Sequence, residues 1–526
     1  MTKKAINKQI LAAIVSSVIL ILAASLRLWQ LDQLPSILNR DEAALAYNAL
    51  LLKETGQDEW SRAWPLALES FGDYKLPGYP WLLIASFSLF GYHDWVVRLP
   101  SAVAGVGLII AGYYLARAVG LTTKYRYLFS FFLALSPIFI FYSRMAFEAN
   151  VALTLLVTVI TLLMSKVSSN KRGLVDMVAV GLSLLATLTY NTPLLLLPFI
   201  IVLIPVLRGF KNWWSWLLPV VGLTLVLTSL LWLLLPLTSQ KQGITIFSDE
   251  TVQIEYGDYR SQFSGLSQRV LGNRYVYYAQ LMSQRLGASL TPEFLVTRGG
   301  SHPWHQLPNY GHIYWTIYLL AMIGTIAILF SAYQQLQKKQ VNLSRLAILY
   351  LAGISLLPSI VTVDSPHATR SLLFFVWICL LAVEGAAVLA KFSQRWLLPA
   401  IVLLVLVEAI WYARAYFGLY PAQQWAFMPG FDDHLTEIQQ TYPDDRVAIV
   451  DSEGYHYILL AWYLKISPQV FLETVVRQQP NQIGFKYGEQ VERFRFIGQK
   501  ADRRGEEVVL LEWNPLTAAW EVTEYR

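Results

Sequence analysis

The sequence predicts an α-helical polytopic membrane protein that ends in a small α/β domain outside the lipid. Three observations predict it. Of the 526 residues, 55% are hydrophobic and only 14% charged, against about 25% charged in an ordinary soluble protein. The apolar residues fall in long runs, and the mean hydropathy is +0.43. The 18 Trp and 29 Tyr suit a protein with wide membrane–water interfaces. So small a charged share solvates neither a multi-domain soluble enzyme nor a disordered chain. The net charge of +6 invites a nucleic-acid partner. Yet Lys and Arg recur as small clusters between apolar runs, not as one continuous patch, which argues for no nucleic acid. The lone Cys379 excludes an intrachain disulfide.

The first apolar run, Ile10 to Leu28, follows Lys3, Lys4 and Lys8. Ala23-Ala24-Ser25 loosely fits a cleavage site, but the many runs behind it favour an uncleaved anchor. Further runs lie at about 99–118, 127–142, 149–165, 174–190, 193–207, 214–237, 313–332, 344–361, 371–390 and 396–413. Tyr79 to Phe90 is shorter, about a dozen residues between Pro77-Gly78 and Gly91, a length that reads as interfacial or re-entrant. If it does not span, Lys124/Arg126, Lys166/Lys171/Arg172, Arg208/Lys211, Lys338/Lys339 and Lys391/Arg395 all fall inside; if it spans, all fall outside, against the positive-inside rule. The reading is therefore eleven spans in the cell (plasma or inner) membrane, N-terminus cytoplasmic and C-terminus extracytoplasmic. It divides the chain into a membrane domain, 1–413, with a first outer loop at about 30–97 and a fourth at about 238–312, and a soluble domain, 414–526. In the latter, Arg446–Val450 and Glu507–Leu511 read as strands and Tyr457–Leu464 as a helix.

Ionisable groups at membrane depth are costly and mark function, so chemistry is sought on the outer side. Asn39-Arg40-Asp41-Glu42 opens the helical run Ala43–Lys53. Asn39 and Glu42 have capping-box spacing. Asp41 or Glu42 could equally serve an incoming hydroxyl as general base. Lys75, in Gly72-Asp73-Tyr74-Lys75-Leu76-Pro77-Gly78, is either a snorkelling lysine or a cation aimed at a lipid phosphate. Arg144 and Glu148 are four apart, as in a helical ion pair, but Arg144 is also a rare outer cation. Asp364, His367 and Arg370 open the tenth run, and arginine suits bidentate phosphate binding. In the fourth outer loop, His302 and His305 lack a ligand set for a metal, and Trp304 or Tyr310 could stack on a sugar. No Gly-x-Gly-x-x-Gly after a strand, Walker-type loop or His-Glu-x-x-His is present. Any donor must therefore arrive already activated.

The ordered set of first span, Asp41-Glu42, Lys75-Leu-Pro-Gly-Tyr-Pro-Trp81 and Arg98-Leu-Pro-Ser-Ala102 resembles the GT-C glycosyltransferases of the protein O-mannosyltransferase and aminoarabinose transferase superfamily, glycosyltransferase family 39 and its relatives. The resemblance covers about residues 10–390. It implies a GT-C fold and transfer of a hexosyl or pentosyl group from a polyprenyl-phosphate donor to an acceptor hydroxyl on the outer face. It implies Asp41 as base, Glu42 as its acidic neighbour, Lys75 and Arg370 on the carrier phosphate, and an acidic residue at Glu148. Arg144 is added as a phosphate ligand from topology, and His367, His302, Trp304 and Tyr310 as substrate contacts. It implies no cofactor and no metal. Lys75-Leu-Pro-Gly departs from the double-proline form of relatives, and the tail matches none of their extra domains, which leaves the acceptor open. The rival readings are a secondary transporter or flippase of lipid-linked glycans, and a surface-glycan polymerase or ligase. Absence of an internal repeat speaks against the first, and an acid directly after span one against the second.

Overall fold

Every apolar run of the sequence is helical in the computed structural model, which describes residues 3–238, 245–300, 302–338, 343–392, 396–423, 427–481 and 484–525. Lys339, Arg395 and Ser301 lie outside the described residues. In chain order the membrane part holds α1 (Lys3–Leu28), α2 (Arg40–Thr55), α3 (Gly78–Phe90), α4 (Asp94–Ala118), α5 (Thr123–Leu135), α6 (Pro137–Ser143), α7 (Glu148–Met164), α8 (Ser169–Thr189), α9 (Thr192–Arg208) and α10 (Trp214–Thr238). Three helices of the fourth outer loop follow: α11 (Glu250–Ser261), α12 (Gly265–Val270) and α13 (Arg274–Ser289). Then come α14 (Trp315–Gln337), α15 (Leu343–Ile354), α16 (Leu357–Ile360), α17 (Leu372–Leu389) and α18 (Leu397–Arg414). Seven described helices are long and apolar enough to cross a membrane. The pair α5 and α6, bent by 56° at Ser136-Pro137 because proline cannot continue the hydrogen-bond ladder, makes an eighth when counted as one span. The other three of the eleven expected spans form shorter apolar helices, α7, α9 and Arg345–Ile360. α3 has 13 residues, as the short run predicts.

Packing follows side-chain size. α14 and α17 cross at Gly324 and Gly385, where an added Cβ would sit 1.9 Å from Leu381 O and 2.0 Å from Leu320 O. Only hydrogen fits at that crossing, so the two backbones approach as small-residue interfaces allow in lipid. α17 is buried on nearly all sides, whereas α1, α10 and α18 leave Leu, Ile, Val and Trp exposed outward, the pattern of helices that face lipid.

Two buried arginines fasten the segment between α1 and α2. Arg144 donates to Leu26, Trp29, Gln30 and Leu34 carbonyls, satisfying the C-terminal acceptors of α1 with a cation on its negative end. Arg98 donates to Leu31, Pro35 and Ile37 carbonyls. A two-stranded hairpin follows, β1 (Leu68–Ser70) with β2 (Asp73–Lys75).

The C-terminal part folds as α19 (Phe431–Thr441), β3 (Val447–Val450), α20 (His456–Tyr463), α21 (Pro468–Thr474), β4 (Val476–Arg477), β5 (Gly488–Val491), β6 (Phe494–Ile497), β7 (Val509–Asn514) and β8 (Ala519–Glu524). The sheet order is β4-β5-β6-β3-β7-β8, with β3 parallel to both β6 and β7 and the other pairs antiparallel. This sheet rests on the first outer loop through buried polar bonds. Tyr457 Oη and Arg477 reach Glu59 at 2.9 and 3.2 Å. Trp462 Nε1 and Tyr463 Oη reach Asp94 at 2.8 and 3.0 Å. Tyr47 Oη donates to Ile466 O at 2.7 Å.

Candidate active site at the membrane surface

α2 starts where Asn39 accepts from the backbone N–H groups of Asp41 and Glu42, and Glu42 Oε2 accepts from Asn39 N. The capping box is therefore formed. It separates the two acids. Glu42, 1% exposed, turns inward and takes Arg98 Nε at 3.0 Å and Ala146 N at 2.8 Å. Asp41 turns to the surface and meets Lys75 Nζ at 2.9 Å.

Lys75 is brought there by the hairpin. The register pairs Ser70 with Asp73, leaving Phe71 and Gly72 as a two-residue turn with φ of 42° and 87°. Such turns need positive φ at both central positions. At Gly72 a Cβ would also stand 2.7 Å from Gly484 O. The strand period of two then puts Asp73 and Lys75 on one face, and Lys75 Nζ lies 3.0 Å from Asp73 Oδ2. Asp73 was not among the expected site residues; its i, i+2 spacing from Lys75 is the signal that finds it. Glu148, at the start of α7, completes three carboxylates around one ammonium. Burial works against the Lys75 ammonium, but Asp41, Asp73 and Glu148 outweigh it and raise its pKa well above the ordinary value.

A second cluster comes from the loop before α17. Arg370 Nη1 binds Asp364 and the Thr362 hydroxyl, while its Nε and Nη2 make no hydrogen bond among the described residues. His367 faces Asp364 at 3.5 Å. Its ring lies 5.0 Å from His305 and 6.3 Å from His302. His305 Nδ1 lies 3.1 Å from both Tyr142 Oη and Thr369 Oγ1, which are 2.7 Å apart. Burial first and neighbouring cationic groups second push His305 well below the ordinary histidine value, and His367 down to about 4. Both are neutral at neutral pH. No group of three or more His, Cys, Asp or Glu able to hold a metal occurs among the described residues. Tyr190, at the end of α8, feels Arg370, Glu148, Lys75 and Asp73 together. Tyr190 and Thr369 also line a small cleft of about 20 Å³ with Leu153, Leu156, Leu372 and Leu373. Beside Asp41, the Arg40 guanidinium sits 5.0 Å from the Trp304 ring and 5.7 Å from that of Tyr455.

The expected residues thus divide. Asp41, Lys75 and Glu148 form one group, and Arg370, His367, His302 and His305 another, with Trp304 at their rim. Three sit elsewhere. Glu42 is spent on Arg98 and on the backbone, so it positions α2 and does not face the opening. Arg144 is 0% exposed and caps α1 while lying 5.1 Å from the Tyr416 ring; it is a structural cation, not a phosphate ligand. Tyr310 lies edge-on to Tyr412 in a separate cavity of about 280 Å³ beside Glu408 and Trp411. Tyr142, Thr369 and Tyr190 were missed because lone hydroxyls inside apolar runs carry no sequence signal.

Residues 75–232 match the model of the family described as dolichyl-phosphate-mannose-protein mannosyltransferase. Among solved structures, the chain is similar to the oligosaccharyltransferase AglB from Archaeoglobus fulgidus, in complex with an inhibitory peptide and a dolichol-phosphate: 14% identity, TM-score 0.53, covering 87% of this chain and 64% of that one. The A. fulgidus oligosaccharyltransferase complexed with Zn and sulfate gives 15% identity and TM-score 0.51, over 85% and 61%. ArnT from Cupriavidus metallidurans in the apo state gives 14% identity and TM-score 0.48, over 88% and 85%. This chain thus spans under two thirds of the archaeal enzyme's length. No curated protein sequence matches it. The apolar helices, their order and the likeness to the two archaeal structures establish a multi-pass membrane protein of the GT-C fold.

Proposed function

We propose that the protein transfers a sugar from a polyprenyl-phosphate donor to an acceptor hydroxyl at the outer membrane face. The observation that carries this reading is the ion cluster Asp41–Lys75–Asp73, with Arg370 acting electrostatically on the same Tyr190 as Lys75 and Asp73. The phosphate head of a lipid-linked sugar suits two cationic groups held so close to a carboxylate base. The acceptor oxygen attacks the anomeric carbon while its proton passes to Asp41. The bond from that carbon to the phosphate oxygen breaks, and its electron pair leaves with polyprenyl phosphate. Lys75 and the free nitrogens of Arg370 stabilise the charge that develops there, an effect worth most in a partly desolvated site. The leaving group is already activated, so the site supplies a base, positioning and cations, and neither nucleotide nor metal enters the scheme. Trp304, Arg40 and Tyr455 form the rim an acceptor meets on approach. Trp304 offers a face for ring stacking, and His305 and His367 line the wall as neutral hydrogen-bonding groups beside His302. Glu148 adds its charge to those that keep Lys75 protonated.

The test is incubation of membranes carrying the protein with labelled polyprenyl-phosphate sugars, against membranes carrying Asp41→Asn. Label should pass from at least one donor into an acceptor fraction with the wild type only. Equal transfer by the two, or none from any donor by folded wild type, refutes the proposal.

A further inference from the structure

A different site lies at the other end of the bundle. α4 begins beside Glu42, through Arg98 near its N-terminus, and ends at Ala118. A helix of 25 residues is about 37 Å long at 1.5 Å per residue, so its C-terminus marks the opposite membrane face from Asp41. There a cavity of about 860 Å³ is lined by Arg117, Arg126, Lys166 and Arg345 and by no carboxylate. Arg345 alone has an acidic neighbour, Glu384 at 3.6 Å. Arg117, Arg126 and Lys166 form no ion pair among the described residues. The nearby basic residues Arg172 and Arg208 behave otherwise, since both are neutralised by Asp176 at 2.5 and 2.8 Å. Cations on a convex surface are merely solvated. Four gathered around a concavity, three of them without an ion-pair partner among the described residues and one beside Glu384 at 3.6 Å, leave a net positive field.

The cavity does not stand alone. Tyr114 lines it and also lines a second, smaller one of about 210 Å³ that runs between α1, α4 and α5 past Ile19, Leu20, Ile109 and Ile110. Ile110 and Tyr114 are 46% and 50% exposed on the outward side of α4. The two cavities thus share Tyr114, and the second, whose lining also carries the hydroxyls of Ser16, Tyr113, Tyr127 and Ser130, lies on the lipid-facing side of α4. Free phosphate would use the basic cavity only. A molecule with an anionic phosphate head and a hydrocarbon chain uses both.

We infer that this pair of cavities binds an anionic phospholipid of the leaflet opposite Asp41, its phosphate among Arg117, Arg126, Lys166 and Arg345 and one acyl chain along Ile19 and Ile110. Basic pockets between membrane helices recognise such headgroups, each cation near the surface adding attraction. Arg126 also donates to Leu121 O, which ties its position to the turn joining α4 and α5. The lipid would therefore brace the ends of α4, α5 and α7 and the start of α15, with its chain against the middle of α1.

The experiment uses the full chain, delipidated in neutral detergent, and reads thermal stability and lipid retention by native mass spectrometry. The probes are phosphatidylglycerol, phosphatidylcholine and inorganic phosphate. Phosphatidylglycerol should raise the melting temperature and remain bound, while the other two should do neither. In Arg117→Gln/Lys166→Gln its affinity should fall by roughly tenfold to thirtyfold. Ile110→Trp, a change at a lipid-facing position, should weaken it by filling the second cavity without touching a charge. The inference is overturned if phosphatidylcholine binds as well, if inorganic phosphate gives the whole shift, or if both variants retain wild-type affinity. None of these readouts depends on glycosyl transfer, so the inference stands or falls apart from the proposed activity.

Discussion

The pair Glu42–Arg98 provides a quantitative test of how the site is held. Both side chains are buried, at 1% and 0% exposure. Glu42 accepts four hydrogen bonds, two from Arg98 and one each from the Asn39 and Ala146 backbones. In Glu42→Gln the shape is kept, but one carboxylate oxygen becomes an NH₂ group facing N–H donors. At least two charge-assisted bonds are lost, about 1.5 kcal/mol each at the low end. The resulting figure of about 3 kcal/mol meets the range of roughly 3–5 kcal/mol for stripping one partner from a buried ion pair. Arg98→Met should cost a similar amount. Because removing both partners leaves no stranded charge, the double variant should lose clearly less than the sum. Equilibrium unfolding of the purified chain in mixed micelles measures all four corners of the cycle. Additive single effects would refute the reasoning. So would a Glu42→Gln protein of wild-type stability that has lost transfer, since that result makes Glu42 a catalytic group.

Other outcomes follow from the same geometry. Lys75→Gln should lower the turnover rate far more than it raises the acceptor KM, because the ammonium acts on charge that develops at the donor phosphate; steady-state kinetics over acceptor concentration separates the two. His367 protonates near pH 4 in the folded protein and near 6.5 when unfolded. Between those values the unfolded chain binds more protons, so stability should fall as pH drops from about 6.5 to about 4; melting curves should show a blunted fall in His367→Asn. Arg477→Met strips a cation from Glu59, which is buried under the sheet, and should loosen the C-terminal part from the first outer loop. Limited proteolysis between α18 and α19 reads this as faster cleavage.

The helices were legible because lipid demands long apolar runs with internally satisfied backbones, and that demand is written locally. The break at Ser136-Pro137 falls inside what reads as one run, since a kinked span and a straight one have the same composition. The strands Val447–Val450 and Val509–Asn514 are short apolar runs buried at consecutive residues, but nothing in them announces that they pack side by side. Asp41 and Lys75 stood out as outward charges near apolar segments. Arg144 and Glu42 carried the same signal and proved structural: topology places a charge on a face of the membrane but does not say whether it turns toward the opening or toward a helix end. The docking of Tyr457 and Arg477 on Glu59 joins residues some 400 positions apart, a relation that only the folded chain displays. Asp73 was the avoidable omission.

The most direct measurement is single-turnover transfer by purified wild type and Asp41→Asn with one defined polyprenyl-phosphate sugar. Folding is checked in parallel by the unfolding midpoint. The account expects the variant to fold like wild type and to transfer at least about 10²-fold more slowly, the lower bound for losing a positioned base. Wild-type transfer by Asp41→Asn would contradict it.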